Sequence, residues 1–176
     1  MSEEIATIVT HRQLPLGTWA VDASASRVRF AVGNLWGLAK VRGEFESVGG
    51  ALAVGPDSLD GQLTIDTSSL NTRNTRRDVD LRSADFFGVE QHPEIVFETS
   101  SATSGPDGLT MTGDLHIGGS RIHLSLPVEV DERADRLTLS ASTPISRELV
   151  GLAWNRLGMI GSEAAVEVEL TLTRDE

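Results

Sequence analysis

Hydrophobic and polar residues alternate one by one over much of this chain. In one segment, Val28, Phe30 and Val32 are separated by Arg29 and Ala31. Because successive side chains of a strand point to opposite faces, this pattern predicts antiparallel β-strands with one buried and one exposed face. The alternating segments are Ser26–Val32, Ala39–Phe45, Leu63–Asp66, Ile122–Val130, Leu137–Ala141 and Val166–Leu172.

Turn signals separate the predicted strands. Gly55–Asp57 and Pro106–Gly108 are rich in turn-forming residues. Gly119–Ser120 suits a two-residue hairpin, because glycine supplies the positive φ that such a turn needs. Many short strands at regular spacing are typical of either a sandwich or a closed barrel, and the pattern leaves both open. We expect residues 1–16 to form a mobile arm and residues 17–176 to form a single domain.

One segment, Asn71–Phe97, interrupts the strand pattern with a short charged helix. Thr75 is predicted to be the N-cap of this helix, with Asp78 at its third position. Asp78 and Arg82 are four residues apart, which favours an exposed ion pair. The helix is predicted to plug or cover one end of the sheet. Leu81 and the phenylalanines that follow it can equally line a ligand entrance, since a lid is also a gate.

Three arginines, Arg73, Arg76 and Arg77, form a basic cluster beside this helix. Guanidinium groups at such a place can contact a phosphate or quinone oxygen at the entrance. Ion pairing with Asp78 and Asp80 is the favoured interpretation.

The charge of the chain argues against several kinds of partner. It has 26 acidic and 15 basic residues and a formal net charge of −11. Nucleic acids and anionic membrane surfaces attract basic protein faces, so no nucleic-acid partner and no docking on an anionic membrane is predicted. The absence of cysteine excludes disulfides, thiolate metal sites and cysteine nucleophiles.

We expect a cytoplasmic location and no transmembrane segment. Residues 1–13 lack the basic and then apolar regions of a secretory signal. No apolar run approaches the ~20 residues that a membrane-spanning helix needs.

The motifs of common catalytic sites do not occur, and no catalytic residue is predicted. There is no Gly-x-Ser-x-Gly elbow, no phosphate-binding glycine loop and no His-Glu-x-x-His. If Gly119–Ser120 forms a two-residue turn, His116 and His123 lie directly opposite each other on the polar face. Two histidines joined by a carboxylate can hold zinc or copper. A solvated polar pair is the favoured interpretation, and no metal site is predicted.

A series of short motifs occurs in a fixed order between Gly17 and Leu172. Two of the more informative ones are Asp85–Phe87, which reads Asp-Phe-Phe, and His92–Phe97, which reads His-Pro-x-Ile-x-Phe. The full series is Trp19–Asp22, Ser26–Phe30, Val41–Phe45, Ser69–Thr72, Arg77–Asp78, Leu81–Ser83, Asp85–Phe87, His92–Phe97, Gly113–Gly119 and Ile145–Arg147. Each motif is short, but their order and spacing together resemble the YceI-like family.

The resemblance implies an all-β fold, namely an antiparallel lipocalin-like β-barrel of about eight strands with a short helical lid. It implies that the barrel interior binds a long isoprenoid lipid or isoprenoid quinone for transport or storage, without catalysis and without a further cofactor. It also implies a homodimer, and members of the family are often exported. Burial in an apolar interior contributes ~25 cal/mol per Å², so such a ligand needs no specific polar contact.

The ligand-binding residues follow from the same resemblance. They are Phe30, Trp36, Phe45, Leu81, Phe86, Phe87, Phe97, Trp154 and Met159. Trp36 and Trp154 are placed at a pocket mouth, because each adjoins glycine or polar residues in a predicted loop. Further inward-facing candidates are Val28, Val41, Ile65, Leu115 and Ile117. The alternative for each strand residue is that it only fills the core.

The segment Gly17–Trp19 also matches the Gly-x-Trp of lipocalins on the first strand. The alternative reading is structural, with the indole of Trp19 plugging the base of the barrel.

The chain departs from the family at Ala25 and Asn34, where the family often has histidines. This leaves the ligand head group open. Two other functions also remain open. One is an enzyme that acts on a small apolar substrate in the barrel, with Arg147 or Asp85 as the first ionisable groups to test. The other is a structural or interaction domain with a filled core.

Overall fold

The computed structural model describes residues 14–34, 39–84, 86–106, 108–146 and 163–175. Most of these residues lie in strands, and none of the helices in these ranges has the length and apolar character that a membrane crossing requires. The elements are β1 Gly17–Val21, β2 Arg27–Asn34, β3 Ala39–Phe45, β4 Val48–Val54, β5 Leu59–Asp66, β6 Leu70–Asn71, α1 Thr75–Arg82, β7 Glu94–Gly105, β8 Gly108–Ile117, β9 Ser120–Arg133, β10 Arg136–Ser146 and β11 Glu163–Arg174.

The strands form one antiparallel sheet that closes on itself. Its order is β1-β4-β5-β7-β8-β9-β10-β11, and β11 pairs back onto β1. β11 also pairs with β2, β2 with β3, and β3 with β6. The pairs β1–β2, β3–β4 and β5–β6 are therefore bent strands that each occupy one position in the wall. The result is a closed eight-stranded antiparallel barrel with one short helix, as predicted, and it decides against the sandwich.

The bend between β1 and β2 is held by side chains. Asp22 caps the 3₁₀ turn Ala23–Ala25 and accepts hydrogen bonds from the backbone N of Ser24 at 3.1 Å and from its hydroxyl at 2.6 Å. The hydroxyl bond is the main reason that the pKa of Asp22 is lowered. The Ser26 hydroxyl accepts from the backbone N of Thr171 on β11 at 3.0 Å. Polar side chains thus replace ladder hydrogen bonds where the strand changes direction.

Trp19 closes one end of the barrel. Its side chain is 0% exposed, its Nε1 donates to the carbonyl of Pro15 at 3.2 Å, and the guanidinium of Arg174 lies 4.4 Å from its ring centroid. The structural reading of Trp19 is therefore confirmed. Leu14, which the sequence placed in the N-terminal arm, is 2% exposed in the same cluster. Residues 1–13 lie outside the described residues, and the extent of the arm stays a prediction.

The turn between β8 and β9 differs from its prediction by one residue. Ile117 pairs with Ser120, so the two turn residues are Gly118 and Gly119, with φ of 55° and 81°. A hairpin turn with positive φ at both positions favours two glycines over glycine and serine. Consequently His116 faces Arg121, while His123 faces Asp114. The prediction that the two histidines oppose each other is wrong.

The N-cap of helix α1 lies one residue before the predicted one. Asn74 is the N-cap, and its side-chain oxygen accepts from the backbone N of Arg77 at 3.0 Å. Asn and Thr are both good capping residues, and they are adjacent here, so sequence alone did not separate Asn74 from Thr75. Asp78 is 7% exposed, and its carboxylate accepts hydrogen bonds from both the backbone N and the hydroxyl of Thr72. This contact ties α1 to the end of β6.

The arginines around α1 bind backbone and neighbouring strands. Arg77 donates to the hydroxyl of Thr72 at 2.9 Å and to its carbonyl at 2.8 Å. Arg82 donates to the carbonyl of Leu70, and Arg73 pairs with Glu44 at 2.8 Å. Arg76 forms no ion pair with another described residue. The predicted pairing of these arginines with the aspartates of the helix is therefore wrong, because backbone carbonyls, the Thr72 hydroxyl and Glu44 are their partners instead.

We predict that Asp78→Ala lowers the free energy of unfolding by about 1–3 kcal/mol, because it leaves the buried donors of Thr72 without an acceptor. Asp80→Ala, on the exposed side of the same helix, is the matched control and is expected to change stability by less than about 0.5 kcal/mol. Urea unfolding followed by circular dichroism measures both. Equal effects of the two variants would contradict the role of Asp78.

Candidate functional site

Three of the predicted phenylalanines form an aromatic cluster at the end of the barrel near α1. The ring centroids of Phe30 and Phe45, and those of Phe45 and Phe87, are 5.6 Å apart, and those of Phe30 and Phe87 are 6.5 Å apart. Phe45 is 6% exposed, while the other two rings are half-buried. Leu81 packs against the same apolar layer. The structure thus brings together four of the residues that the sequence proposed for ligand binding.

Gly43 makes room for this cluster. It faces Phe30 across the β2–β3 ladder, and a Cβ atom at position 43 would lie 2.5 Å from Phe30 Cζ and 2.9 Å from the Thr72 methyl. Any larger residue would push the ring of Phe30 aside. The glycine of the Val-x-Gly-x-Phe motif therefore positions the aromatic layer.

The chain after α1 folds back to bring Phe87 onto the barrel. The backbone N of Phe87 donates to the carbonyl of Leu81 at 3.0 Å, and that of Gly88 donates to Ser83 at 2.8 Å. Gly88 has a φ of 56°, the left-handed conformation that glycine adopts most easily. Phe86 lies in the same turn and is half-buried. The helix and its turn thus cover this end of the barrel.

An apolar cavity of about 140 Å³ lies between the two packed ends. Its wall includes Leu52 and Leu172 from the cluster around Trp19, and Val28 and Leu115 from the cluster around Phe45. Of the 24 described residues that line it, only four have polar side chains, namely Gln62, Thr99, Ser140 and Thr143. The surface of the cavity is therefore small and almost entirely apolar.

The predicted ligand-binding residues meet this cavity unequally. Among those described, Phe97 lines it, whereas Phe30, Phe45, Phe86 and Phe87 do not border it. Leu81 does not border it either. The further candidates Val28, Ile65 and Leu115 do line it, and Val41 and Ile117 do not. Trp36, Trp154 and Met159, together with Asp85 and Arg147, lie outside the described residues. All nine assignments stay predictions.

Most of the cavity wall consists of aliphatic residues that sequence reasoning did not single out. Many of them stand at the inward positions of β8 to β11. The alternation gives the direction of these side chains, but it does not show whether they meet other side chains or open space. Examples are Met111, Leu124, Leu126, Leu139, Ile145, Val166 and Val168.

The polar groups near the β8–β9 turn form a surface network rather than a site. Asp114 accepts from Arg121 Nη2 at 2.6 Å and contacts His123 Nδ1 at 3.0 Å. His116 Nε2 lies 3.6 Å from the carboxylate of Glu98, longer than a hydrogen bond. In the described part of the chain, no three His, Cys, Asp or Glu side chains stand together as metal ligands would.

Comparisons with known proteins agree with this architecture. The model of the YceI-like domain matches residues 19–172. A UPF0312 protein of Staphylococcus aureus (strain bovine RF122 / ET3-1) is 31% identical over 147 residues, which cover 77% of this chain and 82% of that protein. Protein YceI of Escherichia coli O6:H1 is 36% identical over 73 residues, which cover 42% of this chain and 38% of that protein.

Two solved structures share the fold. BcnA of Burkholderia cenocepacia aligns with a TM-score of 0.77 at 20% identity, over 86% of this chain and 98% of that one. A polyisoprenoid-binding domain from Saccharophagus degradans, implicated in plant cell wall breakdown, aligns with a TM-score of 0.74 at 16% identity, over 92% and 100%. At these identities the likeness shows the barrel itself.

The surface network gives a pH-dependent prediction. The hydrogen bond from Arg121, and after it the contact with His123, lower the pKa of Asp114 below its ordinary value of 3.8. The pKa of Asp114 is lower in the folded state than in the unfolded state. The network therefore stabilises the fold at pH values above the unfolded pKa and loses this contribution as the pH falls through the folded pKa.

We expect Arg121→Gln to raise the pKa of Asp114, as measured by carbon NMR titration of its carboxyl. Arg133→Gln, which removes the Asp131 pair on the same strand, is the control. An unchanged Asp114 titration in Arg121→Gln would refute the assignment.

Proposed function

Because this chain belongs to the YceI-like family, we propose that its barrel binds a long apolar isoprenoid lipid or an isoprenoid quinone, for transport or storage, and catalyses no reaction on it. The observation that carries the proposal is the apolar cavity between the two packed ends of the barrel. A filled core, the structural alternative, would leave no such space.

The chemistry of the lining supports a hydrocarbon ligand. Each Å² of apolar surface that the ligand removes from water contributes ~25 cal/mol, without any directed polar contact. One of the few polar lining groups is already satisfied, since the Thr99 hydroxyl donates to the carbonyl of Thr112 at 2.7 Å. The domain from Saccharophagus degradans, which has the same fold, is a polyisoprenoid-binding domain.

The lining also supports a non-catalytic role. General acid–base chemistry needs an ionisable group beside the substrate, and a hydroxyl nucleophile needs an adjacent base to activate it. No Asp, Glu, His, Lys or Arg occurs among the described residues of the cavity wall, so the hydroxyls of Thr99, Ser140 and Thr143 have no such base in that wall. A protein that only binds its ligand needs no such group.

The homodimer that the resemblance implies is part of the proposal. Light scattering of the purified chain measures its mass.

The first experiment is to purify the protein under native conditions, extract it with organic solvent and identify the released lipid by mass spectrometry. We expect a prenyl chain or prenyl quinone in stoichiometric amount, which also names the head group. An empty protein that gains no thermal stability from added prenyl lipids would overturn the proposal in favour of a filled core. Conversion of the bound lipid to a product would favour the enzyme.

A cavity-filling variant locates the ligand. Leu63 lines the cavity from β5, and Leu63→Trp is expected to occupy the space that the ligand needs. Ligand that binds only the folded state adds about 2.7 kcal/mol of stability at 100 times Kd. We expect this gain, measured by calorimetry with an added prenyl quinone, to disappear in Leu63→Trp. The neighbouring Thr64→Trp, which is not in the cavity wall, should keep it. The same gain in both variants would contradict an interior site.

A further inference from the structure

Among the described residues, the ladder between β9 and β10 is shorter than the two strands. These strands pair from Arg133 and Arg136 only as far as Val128 and Ala141. Beyond that level β9 stays paired with β8, and β10 stays paired with β11. Residues 120–127 and 142–146 therefore have a ladder partner on one side only, as far as the described residues show. We call this gap in the ladder the β9–β10 seam.

Two prolines mark the seam in the sequence. Of the six prolines of the chain, all of them described, only Pro127 and Pro144 lie inside strands, and both fall within the seam. Pro127 keeps its register with Thr110 of β8, and Pro144 keeps its register with Ala165 of β11. Because proline has no backbone N–H, it is tolerated in a strand where no ladder partner needs that donor. Each of the two strands that border the seam thus carries a proline that disfavours further pairing.

The seam borders the apolar cavity. Leu124 and Leu126 line the cavity from the β9 edge, and Thr143 and Ile145 line it from the β10 edge. All four side chains are half-buried. Between the described residues of β9 and β10, no ladder hydrogen bond has to break for the strands to separate at this level, whereas β9 is paired with β8 and β10 with β11.

A groove of about 420 Å³ runs along the outside of the same wall. It shares Val128, Ser140, Ala141 and Val168 with the wall of the cavity, so a single layer of residues separates the two spaces. Pro127 belongs to the groove as well. A ligand that crosses the seam would therefore have one end in the cavity and the other in the groove.

The charges of the groove suit a neutral head group. Arg27 and Arg29 lie opposite Glu169 and Glu167 across the β2–β11 ladder, and Glu129 adds a third carboxylate. The three acidic and two basic side chains give the groove a net negative charge, which repels an anionic head group. Neither Arg27 nor Arg29 forms an ion pair or side-chain hydrogen bond with another described residue, so both guanidinium groups can donate to a carbonyl or hydroxyl oxygen.

The cavity is too small to hold the whole of a long isoprenoid ligand. A cavity of about 150 Å³ holds one benzene molecule, and this one is about 140 Å³, far less than a chain of several isoprene units. Building on the function proposed above, we propose that the apolar chain of the ligand enters the barrel sideways through the β9–β10 seam. Its neutral, oxygen-bearing head group then stays in the outer groove, where Arg27 and Arg29 donate hydrogen bonds to it.

The passage is tested by closing the seam with a disulfide. Pro127 and Ser142 are the first residues beyond the last ladder pair, so Pro127→Cys/Ser142→Cys should form a bond across the seam. The chain has no native cysteine, so no other disulfide can form. We expect oxidation to slow the uptake of a prenyl quinone by delipidated protein at least tenfold, measured by stopped-flow quenching of tryptophan fluorescence. Reduction should restore the rate.

The matched control is Thr112→Cys/Ser125→Cys, at two facing residues of the intact β8–β9 ladder whose hydroxyls are 3.2 Å apart. Its oxidation should leave uptake unchanged. Equal uptake by oxidised and reduced Pro127→Cys/Ser142→Cys, with the bond verified by thiol titration, would overturn the seam and leave the proposed function standing. If the reduced protein and the wild type both take up neither a prenyl quinone nor a prenyl alcohol, the proposed function itself fails.

A second variant closes the seam without a covalent bond. Pro127→Val/Pro144→Val restores two backbone donors on facing edges, which allows the β9–β10 ladder to extend. We expect slower uptake than in the wild type, together with slower hydrogen exchange of the amides in 120–127 and 142–146. Slower exchange without slower uptake would overturn the passage.

The head-group position is tested with two probes that differ only in polarity. Arg27→Gln/Arg29→Gln should weaken binding of a prenyl quinone about tenfold, through loss of charged hydrogen-bond donors. It should leave binding of squalene, a prenyl hydrocarbon without a head group, unchanged. Arg133→Gln, outside the groove, is the control. Unchanged quinone affinity, or equal weakening for both probes, would overturn the groove as the head-group site.

Discussion

The hydrogen bonds between β11 and the bent first strand, β1 with β2, are the contact on which the rest of the structure depends. Three residue pairs join β11 to β1, Trp19 with Arg174, Ala20 with Thr173 and Val21 with Leu172, and six more join β11 to β2. Together they turn an open sheet into a ring, and a ring separates an inside from an outside. The burial of Trp19, its contact with the Arg174 guanidinium and the existence of an interior cavity all follow from this closure.

The bend at Asp22 divides the first strand into β1 and β2, and both halves pair with β11. β11 pairs with β1 through Leu172–Arg174 and with β2 through Ala164–Glu169, and the two stretches are separated by the turn that Asp22 caps. The Ser26 hydroxyl bonds the backbone of Thr171 at the point where the ladder is interrupted. A bend that would otherwise leave unsatisfied backbone groups is thereby stabilised. The β9–β10 seam differs from this bend, because no side chain bridges its two edges among its described residues.

Local features of this fold could be predicted from the sequence, and long-range ones only through the family resemblance. The alternation of residues around Phe30 predicted the strands, because a side-chain period of two depends only on neighbouring residues. It did not separate barrel from sandwich, which depends on whether β1 meets β11, more than a hundred residues apart. The one-residue errors at Thr75 and at Gly119 arose where two adjacent residues suit the same cap or turn, and the choice between them is made by packing.

The candidate site was harder to predict for a similar reason. Inward-facing aliphatic residues such as Leu126 look the same in sequence whether they touch a neighbour or border a space. Aromatic residues drew attention because they are large, yet Phe30, Phe45 and Phe87 pack against one another at one end. Pro127 and Pro144 carried readable information about the wall, since proline within a strand marks an edge.

The burial of Trp19 limits how a ligand could pass through this barrel. Because Leu14 and Trp19 are almost completely inaccessible, that end is closed and no channel leads out through it. If the barrel carries a lipid, as proposed above, the lipid cannot enter at one end and leave at the Trp19 end. A donor and a recipient of the lipid would then have to use the same opening one after the other.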